Sequence, residues 1–356
     1  MQLFSMGKSK SIVGLDIGSS SVKAVECAVR NKRVDLLHVG VAPLPAEAIV
    51  QGAFLNSSAI VDAIREAMDS AGIKSKTVAT AVSGHSVIVK KIVMPSMTRE
   101  ELDESIRWEA EQYIPFDINE VNLDFQILNG AGMEGQMDVL LVAAKKDLID
   151  DYVQVIGDAG LQPAIIDVAA FAVENAFEAN YELRSDDVVA LVNIGSQVVN
   201  INIVANGAPA FTRDISTGGS AYTEEIQKAL SVGWDEAERM KIGGKGERTA
   251  QDVVPHEVEE AMRSVTDTVL GEISRSLDFF TATAAESRIS KIYLSGGGAR
   301  VSGLDAAFQQ KTNLPVERMN PLARVTAASR LDDEFLREIG PSLGVGIGLA
   351  LRRMDD

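Results

Sequence analysis

Two stretches of the chain share one pattern of hydrophobic and polar positions. Residues 12–25 read IVGLDIGSSSVKAV and residues 189–201 read VALVNIGSQVVNI. In both, a β-branched run reaches an acid or its amide, then Ile-Gly-Ser, then a polar turn, then renewed alternation. That pattern predicts a strand, a tight glycine turn and a second strand. A hairpin recurring at the head of each half predicts two lobes of related topology, each with a mixed sheet covered by helices.

Between and after the hairpins the periodicity changes. Residues 34–41 alternate as a strand. Residues 56–72 read as a helix with Asn56 or Ser57 at the N-cap, apolar positions at Ile60, Ala63, Ile64, Ala67 and Met68, and Gly72 as the stop. Residues 77–82 and 87–93 alternate as strands. Thr98 and Glu101 form a capping box for a helix carrying Leu102, Ile106, Ala110 and Tyr113, with Pro115 beyond its end. Strands over 121–128 and 138–144 flank a glycine-rich turn at 129–135, and a helix over 146–159 closes at Gly160. Residues 77–162 therefore predict an inserted βαββα unit with its own small core, in which Trp108 and Tyr113 are partial core.

In the second half, a glycine turn at 217–219 precedes helices over 223–230 and 235–241 and a loop over 243–247. A long helix over 255–285 carries an apolar stripe of Val258, Met262, Val265, Val269, Ile273, Leu277 and Phe280. A short strand at 291–294 runs into Ser295-Gly-Gly-Gly. The closing helix, 340–352, is rich in small residues (Gly344, Gly346, Gly348, Ala350), as expected where a helix is wedged between lobes.

Composition narrows the function classes. At 356 residues the chain exceeds one ordinary core, and 46% hydrophobic residues supply large ones. A net charge of −17 argues against general nucleic-acid binding and against an anionic membrane surface. Cys27 is the only cysteine, which excludes an intrachain disulfide, and it reads as a buried, inert thiol. His38, His85 and His256 are scattered and give no metal-ligand spacing. No apolar run approaches the ~20 residues that cross a bilayer, and the first ten residues lack the features of a signal peptide. The expectation is a cytoplasmic protein that would reach a membrane only through a partner.

Candidate chemistry rests on the order of the glycine motifs, since each alone is weak. Gly18 and Gly195 would adopt backbone angles that aim N–H groups at a phosphate. Ser19, Ser20, Ser21 and Ser196 add hydroxyl donors, and Lys23 adds a point charge. Asp16 is too negative to meet phosphate directly and is expected to hold water around Mg²⁺. Gly218 and Gly219 make a second turn, and Gly296, Gly297 and Gly298 would let backbone lie against adenine and the α-phosphate. Glu238 and Lys241 share a helix face and could bind ribose hydroxyls, although a solvated helix pair would look the same.

A phosphate hairpin, a second phosphate hairpin, a Gly-Gly turn, an Ala-Glu-x-x-Lys helix, a strand into Ser-Gly-Gly-Gly and a glycine-rich closing helix follow the order of the actin, Hsp70 and sugar-kinase superfamily. Within it, GLDIGSSSVKAVE, TREELDESIRWEAEQYIPF, AERMKIG, EISRSLDFFTA and KIYLSGGGARVSGL resemble the PilM family, FtsA-like proteins of type IV pilus machines. The resemblance runs from about residue 10 to 353. It implies an α/β, actin-like two-lobed ATPase fold with an FtsA-type 1C subdomain inserted in the first lobe. The implied division is 10–76 with 163–188 (first lobe), 77–162 (insertion), 189–220 with 290–356 (second lobe core) and 221–289 (a helical and strand subdomain of that lobe). It also implies ATP with Mg²⁺ between the lobes, docking of the cytoplasmic N-terminal tail of the membrane protein PilN, and linkage to motor ATPases. A role as homo-oligomer stays open.

One position departs from the superfamily pattern. Asn193 stands in the second hairpin where an acid is usual, and an amide carries no charge with which to organise hydrated Mg²⁺ or an attacking water. The nearby acid is Asp167, expected at the start of a helix over 168–176 and the one candidate for a catalytic base. The expectation is ATP binding with slow or absent hydrolysis. The alternatives are a sugar- or acetate-kinase-like phosphotransferase, for which no convincing acid motif is found, and an FtsA-like filament former.

Overall fold

The computed structural model describes residues 12–30, 33–128, 135–184, 186–241, 256–284 and 288–353. The chain begins with β1 (Val13–Ile17), β2 (Ser21–Arg30) and β3 (Arg33–Pro43), a small hairpin β4 (Ile49–Val50) and β5 (Ala53–Phe54), then α1 (Ser57–Ala71) and β6 (Thr77–Val82). Next come β7 (Val87–Pro95), α2 (Arg99–Ala110), β8 (Val121–Leu128), β9 (Gln136–Lys145), α3 (Lys146–Asp158), β10 (Gln162–Val168) and α4 (Ala169–Asn180). The second half runs β11 (Val188–Ile194), β12 (Val199–Ala205), β13 (Ala208–Ile215), α5 (Ser220–Leu230), α6 (Trp234–Lys241) and α7 (His256–Thr283). It ends with β14 (Lys291–Ser295), a 3₁₀ turn (Gly297–Arg300), α8 (Leu304–Thr312), β15 (Val316–Arg318), β16 (Val325–Ala327), α9 (Asp333–Ile339) and α10 (Gly344–Ala350).

Local sequence explains the best-defined ends. The Asn56 side chain accepts from the Ala59 amide at 3.0 Å, and Gly72 takes φ 68° to close α1. Thr98 and Glu101 exchange side chain-to-backbone hydrogen bonds of 3.2 and 2.8 Å at the start of α2, completing the capping box. The apolar stripe of α7 is buried as its spacing requires, through Val258, Val265, Val269, Ile273, Leu277 and Phe280.

Three sheets organise the molecule. The first lobe holds six strands in the order β10-β6-β1-β2-β3-β16, and the second holds five, β13-β12-β11-β14-β15. β7, β9 and β8 form a separate antiparallel sheet, closed on one side by α2 around Ile92, Leu102, Ile106, Val139 and Leu141. One face of the first sheet packs on α1 and α3, and one face of the second on α5, α7 and α8. The two remaining faces meet in a shared core through α4 and α10, where Val25 and Leu36 of the first sheet join Val189, Leu191 and Tyr293 of the second.

Several boundaries move. β6 pairs in parallel with β1 and β10, and α3 buries Tyr152, Val155 and Ile156 against α1. The separately cored insertion is thus β7–β9 with α2, narrower than the expected 77–162. β16 pairs with β3, and α10 lies on β1, β2 and α4, so part of 290–356 belongs to the first lobe. Non-local pairing decided these assignments, and local pattern does not encode it. Between 221 and 289 the described residues are helical, without strand, while the expected loop 243–247 and most of the turn 129–135 lie outside the described residues. The closing helix is divided into a 3₁₀ turn (Gly340–Ser342), with Pro341 in its first turn, and α10. Its small residues do allow close approach: a Cβ on Gly348 would run into the Ala172 carbonyl of α4. Trp108 is 75% exposed, contrary to the expected partial core, whereas Tyr113 packs against the insertion's core.

Candidate functional site

The two repeated hairpins close in the same way. The Gly18 amide donates to the Ser21 carbonyl at 3.1 Å, and the Gly195 amide to the Val198 carbonyl at 2.9 Å. Neither glycine has a positive φ. A Cβ at Gly195 would lie 2.8 Å from the Val198 oxygen, which requires glycine there, and one at Gly18 would lie a tight 3.2 Å from the Ser21 oxygen. Their own amides are spent inside the turns.

Asp16 and Lys23 are direct cross-strand partners on β1 and β2, with Lys23 Nζ 3.1 Å from Asp16 Oδ2 and both side chains mostly buried. The pair sets a positive and a negative group side by side at the base of the first turn. Ser21 begins β2, past the turn.

In the second lobe three glycine turns converge. The Gly219 amide donates to the Gly195 carbonyl and the Ser220 amide to the Ser196 carbonyl, both at 2.8 Å. Any Cβ on Gly218 would be 2.5 Å from the Ser196 oxygen. Gly296 has φ 86°, and a Cβ there would meet Asn193 Oδ1 at 2.8 Å. Gly298 lies against Ile194 and Gly219, with Gly297 between it and Gly296. Lys241 holds this cluster to α6: its Nζ donates to Glu238 at 2.6 Å, to Thr223 Oγ1 at 3.0 Å and to the Gly219 carbonyl at 3.3 Å. Thr223 in turn donates to Glu238 at 2.6 Å. Glu238 and Lys241 are therefore already engaged with each other and with the turn.

The second hairpin turn is tied to the first lobe through one side chain. Gln197, in the second turn, donates to the Ile49 carbonyl at 2.8 Å and accepts from the Gln51 amide at 2.9 Å. This segment adjoins the first turn, because the Leu44 amide donates to Ser20. Lower down, Asn202 of β12 donates to Glu174 of α4 at 2.6 Å. Burial raises the Glu174 carboxyl to about 7, with the Asn202 bond opposing and Glu178 and Asp167 reinforcing the shift. Burial also pushes the Cys27 thiol up to about 12, in keeping with an inert cysteine.

Asn193 is the centre of a polar rung. Ser295, Asn193, Asn200 and Asp214 are register partners on β14, β11, β12 and β13. Ser295 Oγ donates to Asn193 Oδ1 at 3.2 Å, Asn193 Nδ2 to Asn200 Oδ1 at 2.9 Å, and Asn200 Nδ2 to Asp214 Oδ1 at 2.8 Å. Asn193 both accepts and donates here, which an ionised acid cannot do. Asp214, Asn200 and Gln197 were missed in the sequence; the available signal was asparagine at alternate positions of an otherwise apolar strand.

Asp167 is the penultimate residue of β10 and does not begin a helix; α4 starts at Ala169. In register it shares the sheet face of Asp16, with Ala81 of β6 between them. One carboxylate oxygen accepts from the Val168 amide at 2.8 Å and the other lies 3.4 Å from Arg352 Nε. A base role would require that ion pair to open.

The residues suit a nucleotide on chemical grounds: a lysine and several hydroxyls stand beside glycine turns whose backbones approach one another closely. Among the described residues no group of three or more His, Cys, Asp or Glu could hold a metal ion. A Mg²⁺ would need Asp16 together with water and phosphate oxygens. Among the described residues no helix is long and apolar enough to cross a membrane.

The family model described as type IV pilus assembly protein PilM matches residues 14–354. A chain of the PilM–PilN type IV pilus biogenesis complex is similar in structure with a TM-score of 0.85 and 31% identity, covering 96% of this chain and 98% of that chain. The ethanolamine utilization protein EutJ of Carboxydothermus hydrogenoformans has the same fold, with a TM-score of 0.56 at 16% identity, covering 96% of this chain and 89% of its own. The cell division protein FtsA of Neisseria meningitidis is 25% identical over 352 residues, 86% of this chain and 83% of the relative. The fold is the actin-like two-lobed α/β fold with mixed sheets.

Proposed function

The chain belongs to the family of type IV pilus assembly protein PilM, and from that premise we propose that it is an ATP-holding scaffold rather than a fast enzyme. The observation that carries this proposal is the second hairpin. Asn193, where an acid would organise metal and water, is locked as donor to Asn200 and acceptor from Ser295. The groups suited to binding are present: Gly18, Ser19 and Ser20 with Lys23 on one side, and Gly195, Ser196, Gly218, Gly219 and Gly296–Gly298 on the other. Bound ATP would supply negative charge that both lobes contact, and Mg²⁺ would add a cation at Asp16. Hydrolysis would be slow, since Asp167 is held by Arg352.

In this proposal the insertion receives the cytoplasmic N-terminal tail of PilN, which would bring the chain to the inner membrane through a partner. A similar chain is part of a PilM–PilN complex, which supports that partner. Motor ATPases would be met on other surfaces. A ligand that binds the closed lobes better than the open ones shifts the population toward closure, and so can tune partner affinity. The test is a calorimetric titration with Mg·ATP and, separately, with a peptide of the PilN tail. Saturable binding of both is expected. Phosphoryl transfer to a small alcohol would replace the scaffold by a kinase, and ATP-dependent light scattering by a filament former.

A further inference from the structure

The rung that begins at Ser295 does not end inside the second lobe. Asp214 Oδ2 accepts from the backbone amide of Gly84 at 2.5 Å, in the connection between β6 of the first-lobe sheet and β7 of the insertion. Gly84 has φ 95°, and its carbonyl accepts from the Val87 amide at 3.0 Å, where β7 starts. β7 itself runs beside β13. One unbroken line of hydrogen bonds therefore joins the turn at Gly296 to the first residues of the insertion, crossing four strands and the gap between lobes.

We propose that this rung reports occupancy of the phosphate site to the insertion, with Asp214 as the positioning residue at its far end. The idea rests on the nucleotide reading given above and adds the route of regulation. From Ser295 to Asp214 the donors point one way, hydroxyl to amide, amide to amide, amide to carboxylate, and Asp214 accepts from the Gly84 amide on its other side. Each interior side chain donates once and accepts once, so turning one amide over costs its neighbour a partner, and the set moves as a unit. Its two ends sit on elements that ligand binding would draw together. Ser295 and Asn193 flank the glycine turns at Gly195 and Gly296, and Gly84 belongs to the first lobe. Lobes closed on nucleotide hold Asp214 against the Gly84 amide. Lobes apart return the carboxylate and the amide to water, and the entry to β7 is released. Gln197, bonded to Ile49 and Gln51, makes a second crossing at the Gly195 turn, and these bonds do not involve the insertion.

The middle link is the place to cut. Asn200→Ala removes the connection while leaving Asp214 and Gly84 in place; Asn200→Ser, shorter and still polar, serves if the alanine variant folds poorly. Amide exchange at Gly84 and through β7 is measured with and without saturating Mg·ATP, and ATP affinity is measured by calorimetry on the same samples. In the wild type, Mg·ATP is expected to slow Gly84 exchange by about tenfold, within the usual range of coupling between sites. The variants should bind ATP within about fivefold of wild type and show no ATP effect at Gly84. Equal slowing in wild type and variants overturns the rung as the route, as does a wild type that binds ATP with Gly84 unchanged. A wild type that takes up no ATP at all fails at the calorimeter, and removes the nucleotide reading together with this one.

Discussion

Asn193→Asp restores the acid usual in the superfamily, and the structure predicts that the protein will be harmed by it. The present amide donates to Asn200 and accepts from Ser295 in a site where Asn193 is 9% exposed. An ionised carboxylate can only accept, so the three donors of the rung become two for the same chain of acceptors. If Asn200 turns over to donate back, Asp214 Oδ1 loses its Asn200 bond instead. Either way one buried acceptor is left unmatched, at about 1–3 kcal/mol. The new charge also stands two strands from Asp214, roughly 10 Å at ~4.8 Å per strand. At an effective dielectric of about 20, that repulsion adds about 1.7 kcal/mol. The sum is a loss of about 3–5 kcal/mol, or a fall in Tm of roughly 4–7 °C for a chain of 356 residues.

The loss should depend on pH. Burial and the neighbouring Asp214 carboxylate both raise the folded-state pKa of the introduced carboxyl above its unfolded value of ~3.9. A raised folded pKa means that the folded form holds the proton longer. Stability relative to wild type is then best at low pH and is lost as pH rises through the folded pKa. In the protonated form the carboxyl can donate to Asn200 and the rung is whole again. Thermal unfolding followed by circular dichroism at pH 5 and pH 8 checks both points. A deficit below about 1 kcal/mol at pH 8, or the same deficit at both pH values, would refute the reasoning.

Other outcomes follow from named contacts. Gly348→Ala drives a methyl into the Ala172 carbonyl at the α4–α10 contact, and overpacking of about 1–3 kcal/mol or more should appear as a lower denaturation midpoint. Glu174, raised from 4.5 to about 7 chiefly by burial, favours folding below its unfolded pKa, and that contribution is lost as pH rises through about 7. Glu174→Gln keeps an acceptor for Asn202, so it should raise Tm at pH 8 and bring no gain at pH 4. Trp108→Ala on the exposed face of α2 should change stability by less than about 0.5 kcal/mol while weakening capture of the PilN tail peptide in a fluorescence titration.

The sequence made local features readable and left pairing hidden. The hairpins at Gly18 and Gly195, the Asn56 cap, the Thr98–Glu101 box and the α7 stripe all depend on residues within one turn or one strand pair, and each is present. The membership of β6 and α3 in the first lobe depends on partners 65 or more positions away in the fold's wiring, as with Thr80 Oγ1 donating to the Leu15 carbonyl (|i−j| of 65). No periodicity announces such a pairing. At the candidate site the glycines were legible because tight turns restrict residue type. The rung was not, because strand β13 was unread and Asp214 sits 14 positions beyond Asn200. Asn193 was noticed as a departure from pattern; its reason became visible only with its two partners in place.

The most direct measurement is Mg·ATP binding by calorimetry on wild-type protein and on Asp16→Ala, with phosphate release followed on the same samples. A scaffold that holds nucleotide predicts saturable, near-stoichiometric binding in the wild type, at least tenfold weaker binding in the variant, and phosphate release far below the roughly 1–100 s⁻¹ of kinases. No binding heat in the wild type, or release at kinase-like rates, would contradict it.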